Sequence, residues 1–542
     1  MTADLIIKSN LVFDSVYPGT FPGFVAIKGN RILHVGRYGE DIDPYVDEHT
    51  IVKEYQEKLV MAGFHDSHTH LLMAGLFLSC VDLSKAISEE ECVQWVKEAE
   101  EASGRTEGWV IGACWHNVFW KKKDLPTKAS LDKAFPDRPA CLINMEFHSA
   151  WVNSKALEVV GIDNDTPDPY GGEILRDENG EATGYLYEAA TGLVTKYAFD
   201  FTPEEEKNIL KNFMEDAKKK GITSVNDVQA YFHGNMGNLE AYHQMDVDDE
   251  LTIRIHAAPD LLGDLDQVLE WQKKYDSDNL RVDMVKQFLD GVPTSHTALV
   301  LEEYSDDPGN FGKSYYDLDS IEKAVPEAHK RGLSIKLHCC GDRSARMAID
   351  YYENAIRMYG KNQCRHAVEH LEMLSDEDLP RFAELGLVPS VQPEHVTITQ
   401  TYPDNPYLIV VGHDRAHATW PFKKLYDTAG FLAIGSDCPV VNNNPFFEIH
   451  RGVTRLHDDG LPEGGFNSTQ RLTVYELLRS YTYGSAYGVC RENEMGTLED
   501  GKLADVVVID RNLFTVDHSK LRDGQILLTV MNGNIVYEKE DS

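Results

Sequence analysis

The feature that most restricts the fold of this chain is an alternation. Eight short strand-like segments occur in order: "KLVMAGFHD", "ITSVNDV", "LTIRIHAAP", "VDMVKQFLDG", "LSIKLHCCGD", "CRHAVEHLEM", "LGLVPSVQPEH" and "FLAIGSDCPV". Helical segments fill the gaps. One of them, "PEEEKNILKNFMEDAKKKG", carries apolar residues at helical spacing and stops at Gly221. A strand–helix–strand repeat implies parallel strands, because the helix carries the chain back to the same end of the sheet. Eight such units predict an α/β fold of the (β/α)8 TIM-barrel type, with reactive side chains at the C-terminal strand ends. A doubly wound open sheet is the alternative, but no GxGxxG follows the first strand.

Both ends of the chain are β-rich. The first 58 residues contain "DLIIKSNLVF", "FVAIKGNRILHVG" and "TIVKEYQ", and the last fifty contain "ADVVVID", "ILLTVMNG" and "NIVYEKE". Neither run can bury a core alone, so the two are expected in one small β-sandwich built from both termini. The expected divisions are 1–58 and 491–542 for the sandwich, 59–75 for barrel strand 1, and 203–490 for the rest of the barrel. Residues 76–202 exceed what one helix needs and hold a hairpin-like "GGEILRDENGEATGYLYE". They read as an inserted α+β lid subdomain over the barrel mouth.

Composition removes several function classes. A net charge of −37 argues against nucleic acid, whose phosphates need a basic surface. The nine cysteines, at 80, 92, 114, 141, 339, 340, 364, 438 and 490, include no CxxC and are odd in number. They read as reduced thiols rather than a disulfide framework. No apolar run approaches the roughly 20 residues of a membrane helix, and "MTADLIIKSNLVFDS" lacks a signal-peptide pattern. The expected setting is cytoplasmic, with a small-molecule substrate, no nucleic-acid or membrane partner, and a homodimer as the default assembly.

The predicted strand ends carry a consistent chemistry. Strand 1 ends in His68 and His70, which share a face if the strand geometry persists. Strand 4 carries Lys286, strand 5 His338, strand 6 His370, and strand 8 Asp437. Each alone has a mild explanation: a core histidine, an ion-pair partner, a turn cap. Together on one rim they favour two divalent ions, with four imidazoles and a carboxylate as ligands. A free ammonium cannot ligate; carbon dioxide would convert Lys286 to an anionic carbamate able to bridge both ions. Zinc comes first among the metals, with Mn, Fe or Co as alternatives set by supply and geometry.

These segments resemble the amidohydrolase superfamily, in its amidohydrolase-3, YtcJ-like branch that includes N-substituted formamide deformylases. The resemblance rests on "GFHDSHTHL", "VKQFLDGVPTSHTAL", "LHCCGDRSARMAID", "VEHLEML", "PSVQPEH", "GSDCPVVNNNPF" and "GTLEDGKLADVVVID", and covers nearly the whole chain. Inside the insertion, "LPTKASLDKAFPDRPACLINMEFHSAWVNSKAL" also matches. It implies a binuclear metallohydrolase with a carboxylated Lys286 and with Asp437 moving the proton. The chain departs from the family pattern at His65, on the opposite strand face and read as structural, at His296, where an arginine is common, and at "MEFHSAW".

The reaction implied is hydrolysis of an amide-type, non-peptide carbon–nitrogen bond. A metal-bridged hydroxide attacks the carbonyl while Asp437 takes its proton and delivers it to the leaving nitrogen. His148 is a candidate donor to the carbonyl or the developing oxyanion. Trp115, His116 and Trp120 are candidates for an aromatic wall, and His296 and His395 for substrate contacts. Three rivals stand beside this reading. They are a mononuclear cyclic deaminase, which Lys286 argues against, an esterase or lactonase on the same metals, and a non-catalytic binding protein.

Overall fold

The computed structural model describes residues 1–117, 120–145, 149–169, 171–228, 239–397 and 401–540. The chain divides into two compact units, one of residues 1–69, 214–230 and 245–542, the other of residues 70–213 and 231–244.

In the first unit, both termini enter one eight-stranded sheet. Its order is Asn534–Glu538, Ile526–Met531, Val506–Ile509, Leu59–Ala62, Leu5–Phe13, Phe21–Lys28 and Arg31–Arg37, with Ile51–Glu54 paired to Leu5–Phe13. Side chains alternate across the strands, so one strand feeds two cores. Leu5, Ile7, Val25 and Ile27 pack on one face with Val506 and Val508, while Ile6, Phe24 and Ala26 pack on the other.

Among the described residues, parallel strands follow in the same unit: β1 (Phe64–Thr69), β2 (Ile222–Val228), β3 (Arg254–Ala258), β4 (Met284–Phe288), β5 (Ser334–Cys339), β6 (Ala367–His370), β7 (Val388–Val391) and β8 (Ala433–Ile434), with the short strand Leu280–Val282 paired to β3 just before β4. β1 pairs with β2 and β2 with β3. The strands from β4 to β8 pair successively. Single parallel bridges, Asp260–Lys286 beyond the end of β3 and Thr69–Cys438 beside β1, connect the two sheets. Every residue of β1 to β7 is buried, as expected of parallel strands covered on both faces. The predicted helix after the insertion spans Pro203–Lys219, with glutamates in its first turn and lysines in its last, matching the helix dipole.

One boundary differs from the sequence expectation. Leu59–Ala62 pairs with Leu5–Phe13 and antiparallel to Val506–Ile509, so it belongs to the terminal sheet, and the first parallel strand starts at Phe64. "KLVMAGF" is one unbroken apolar run, and periodicity cannot divide such a run. The division falls at Gly63, where a Cβ would stand 2.2 Å from Thr223 Oγ1, so only glycine lets the chain turn between the two sheets.

The second unit contains a six-stranded sheet ordered Gly172–Arg176, Ala182–Glu188, Ser149–Val152, Ala140–Asn144, Val110–Trp115 and Val81–Asp82. Its hairpin turns at Asp177–Gly180, where Gly180 has φ 82° and Asp177 Oδ1 accepts from Glu181 N at 2.9 Å. Among the described residues, no helix is long and apolar enough to cross a membrane.

Arg254, fully buried at the start of β3, ties the parallel strands to the C-terminal sheet. Its Nε and Nη2 donate to the two Asp505 oxygens at 2.7 and 2.9 Å, and Nη1 donates to Asp278 O at 2.8 Å. Arg254→Met keeps the apolar stem but leaves Asp505 buried and unpaired, so it should destabilise the chain by about 3–5 kcal/mol. A urea midpoint equal to that of the parent chain would show that the pair contributes nothing to stability.

Candidate metal centre

The strand-end residues converge in two overlapping groups. One donor atom each from His68, His70 and Asp437 lie within 4.8 Å of one another, and so do donors from His370, His395 and Asp437. Asp437 is common to both. Its Oδ1 lies 3.4 Å from His68 Nε2, and its Oδ2 lies 3.6 Å from His395 Nε2 and 3.9 Å from His370 Nδ1. The ring of His338 stands 4.2 Å from that of His370, centroid to centroid. Lys286 Nζ lies 4.2 Å from the Phe288 ring centroid, and Phe288 packs on His338 at 4.8 Å.

Strand geometry explains the convergence. His68, His338 and His370 sit at the C-terminal ends of β1, β5 and β6. Asp437 follows β8 in left-handed backbone with φ 61°, and His370 has φ 73°. Such angles are uncommon outside glycine and are held here by surrounding bonds, since Asp437 N donates to His68 O at 2.7 Å. Gly435 makes the approach feasible, because a Cβ there would lie 2.5 Å from His68 N.

The electrostatics suit metal ligation. Burial pushes His68 down to about 4 and His370 well below the ordinary imidazole value, where His338 and His68 add to the effect. Both are therefore neutral at pH 7, with lone pairs to give. Among the described residues, neither ring nitrogen of His370 has a hydrogen-bond partner, nor does Lys286 Nζ, although both residues are buried. Buried polar atoms without partners are rare in a folded protein, and a divalent ion would take a lone pair of His370, whereas the Lys286 ammonium as it stands cannot ligate one. Burial also lowers Lys286 to about 8, which raises the share of the nucleophilic amine. The donor set of buried imidazoles and a carboxylate fits divalent ions.

Several residues unremarked in the sequence hold this set in place. Glu369 Oε2 takes His68 Nδ1 at 2.5 Å and Ser390 Oγ at 2.7 Å, and Oε1 takes Lys336 Nζ at 2.7 Å. Burial alone would raise Glu369, but Lys336 and His68 outweigh it and hold the carboxyl well below its usual range. Asp290, just past β4, accepts from His338 Nδ1 at 3.2 Å, Cys340 N at 3.1 Å, Gly341 N at 3.0 Å and Ser344 Oγ at 2.6 Å. Carboxylates behind ligating imidazoles fix the tautomer and the ring direction. Glu372 stands 3.7 Å from His395 Nδ1 and accepts from Tyr407 Oη. His395 is raised accordingly: burial works against its charge, but Glu372 and Asp437 prevail.

The remaining expected residues fall elsewhere. Trp115 is 1% exposed, packs against Trp120, Trp151 and Tyr185, and donates its indole N–H to Leu142 O at 2.9 Å. That is the setting of a core residue of the second unit, and Trp120 shares it. His116 is half-buried in the same unit. His296 pairs with Asp306 at 2.9 Å and sets its ring edge on Tyr304. His65 bonds Asn226 at 2.9 Å and stacks on His256, a structural setting. His148 lies outside the described residues.

The chain is similar to known proteins over most of its length. The chain is 30% identical to "Protein LONG AFTER FAR-RED 3" of Arabidopsis thaliana over 99% of its own length and 92% of that protein's. It is 30% identical to a putative amidohydrolase, YtcJ, of Bacillus subtilis, covering 95% of this chain and 96% of that one. Identity to the N-substituted formamide deformylase of Arthrobacter pascens is 26%, over 96% and 95% of the two chains. A metal-dependent hydrolase of Pyrococcus horikoshii shares the fold, with TM-score 0.78, 24% identity and coverage of 95% and 99%. The amidohydrolase family model matches residues 56–537, and the chain belongs to that family.

Proposed function

We propose that this chain is a binuclear metal-dependent hydrolase, built on a (β/α)8 barrel, that cleaves an amide-type, non-peptide carbon–nitrogen bond of a small molecule. The observation that carries this reading is Asp437, within 4.8 Å of donor atoms in two separate histidine groups. The family and the deformylase relative support the bond class. His68, His70, Lys286, His338, His370 and Asp437 would hold the ions. Bound divalent ions lower the pKa of water and polarise a carbonyl.

The chain's own groups do the rest. The neutral Lys286 amine adds carbon dioxide, forming an N–C bond and losing one proton, and so becomes an anionic donor with two oxygens. Glu369 and Asp290 hold the His68 and His338 rings in the direction in which they would ligate the ions. Asp437 accepts the proton of the attacking water and returns it to the leaving nitrogen. His395, beside Asp437, contacts the substrate.

A panel of N-formyl, N-acyl and ester substrates tests the reading on metal-loaded protein. Turnover of the C–N substrates supports it, and turnover of esters alone rejects the bond class. Lys286→Ala should lose metal and activity, and a short carboxylic acid in solution should restore part of both. In the parent chain, 13C-bicarbonate should give a carbamate carbon signal that the variant lacks; a metal-loaded parent without that signal counts against carboxylation. Asp437→Asn keeps the side-chain shape but cannot accept the proton, so turnover should fall about 10²- to 10⁴-fold with most metal retained. Near-parental turnover in that variant would remove Asp437 from proton transfer.

A further inference from the structure

A second cluster of metal-ligating side chains lies at the other end of the same strands. His329 is in the last turn of the helix Leu318–Lys330, which leads into β5. Cys364 and His366 lie in the segment between the helix Asp342–Tyr359 and β6, with His366 directly before the strand. This is the N-terminal side of the strands, where barrel residues serve structure rather than chemistry. Donor atoms of His329, Cys364 and His366 lie within 4.8 Å of one another. We propose that these three residues form a second metal site, for one thiophilic divalent ion of the zinc class, which staples the end of that helix to the entry of β6.

The local hydrogen bonds prepare the donors. His329 Nε2 stands 2.9 Å from Gly360 O, which can only accept, so Nε2 carries the proton and Nδ1 carries the lone pair. A backbone carbonyl behind an imidazole is the arrangement that orients a metal ligand. His366 Nε2 faces that Nδ1 at 2.9 Å, while its own Nδ1 is buried with no hydrogen-bond partner among the described residues. Tyr352 stacks on the His366 ring at 4.7 Å and 11°, fixing its plane. Asn362 pins the turn, donating to His329 O at 2.8 Å and accepting from Cys364 N at 2.9 Å.

The chemistry selects the ion. Burial, with His329 beside it, lowers His366 to about 3, so this imidazole remains neutral. Both histidines are buried and Cys364 is half-buried, which opens the cluster to solvent on the thiol side. One sulfur and two imidazoles favour zinc-class ions over calcium or magnesium, which take oxygen ligands. Nitrogens about 2.0–2.1 Å from one tetrahedral ion stand about 3.3 Å apart, so the two rings need open by only a few tenths of an ångström. Binding exchanges the Cys364 S–H bond for a sulfur–metal bond and releases that proton to solvent. The shared ring proton moves from His366 Nε2 to Nδ1, which lacks a partner in either tautomer, so no new orphan is created. Solvent completes four ligands. Cys490, with Sγ 3.5 Å from Gln363 O, is a second thiol beside the same turn.

Cobalt(II) titration of the chelator-stripped, full-length protein tests the proposal, because thiolate–cobalt charge transfer absorbs in the near ultraviolet. The expected result is such a band, one proton released with it, and one metal equivalent that disappears in Cys364→Ser. Turnover should be unchanged in that variant, and its zinc-dependent rise in Tm should shrink. Cys340→Ser serves as the control, since Cys340 Sγ lies 3.7 Å from His338 Nε2 at the other cluster; that variant should keep the band. A band and metal stoichiometry untouched by Cys364→Ser, or no thiolate band in the parent chain, would overturn the proposal.

Discussion

The arrangement of the strand-end cluster depends on one buried carboxylate. Glu369 has no exposure, yet it is ionised, because Lys336, His68 and Ser390 all direct polar hydrogens at it. Those partners come from β5, β1 and the β7 residue Ser390, so a single group ties four strands at one level. Lys336 also donates to Ser67 O at 2.9 Å, one residue before His68. An isolated buried charge would be costly, and removing any partner from this network leaves another without compensation. The network therefore fixes the register of the strands and the direction of His68 together.

Some of the chain's left-handed non-glycine backbone lies at the same level. His370, Leu371 and Asp437 all take left-handed backbone without being glycine. Backbone bonds hold two of them there: Leu371 N donates to Cys339 O at 3.1 Å, and Asp437 N to His68 O at 2.7 Å. Asp66 adds to this by accepting from Ser436 N at 2.9 Å and Ser436 Oγ at 2.6 Å. Burial raises Asp66 to about 6, so these bonds stabilise an otherwise unfavourable carboxylate. The strained turn after β8 is thus anchored to β1 on both sides of His68, and that anchoring brings the Asp437 carboxylate to the histidines.

The sequence made the strands and the donors legible for a simple reason. Apolar runs ending in His, Lys or Asp signal both burial and chemistry, and both signals survive without coordinates. The supporting charges were not legible, because Glu369 in "AVEH" and Lys336 in "SIKLHC" look like ordinary polar positions on a half-exposed strand. Only the closing of neighbours around them shows that they are buried and paired. The same limit hid the boundary at Gly63 inside an apolar run. It also made Trp115 a candidate for a substrate wall, since an aromatic signal cannot separate a pocket lining from the core it fills. His395 was readable as a strand-end histidine, but its place beside Asp437 depends on the turn Pro393–Thr397, which carries no period.

The two ends of β5 and β6 show how one scaffold divides its work. At the C-terminal end, imidazoles are held by carboxylates: Glu369 behind His68, and Asp290 behind His338. A carboxylate raises the basicity of the ring it holds and leaves net negative charge to balance cations. At the N-terminal end, His329 is held by the neutral Gly360 carbonyl and His366 by no charged group. A site of that kind gives orientation without charge, and a deprotonated Cys364 would supply the anion that balances an ion. The first end is therefore suited to ions that must polarise a substrate, and the second to a fixed link between a helix and a strand. The difference follows from which second atom each ring touches, not from the histidines themselves.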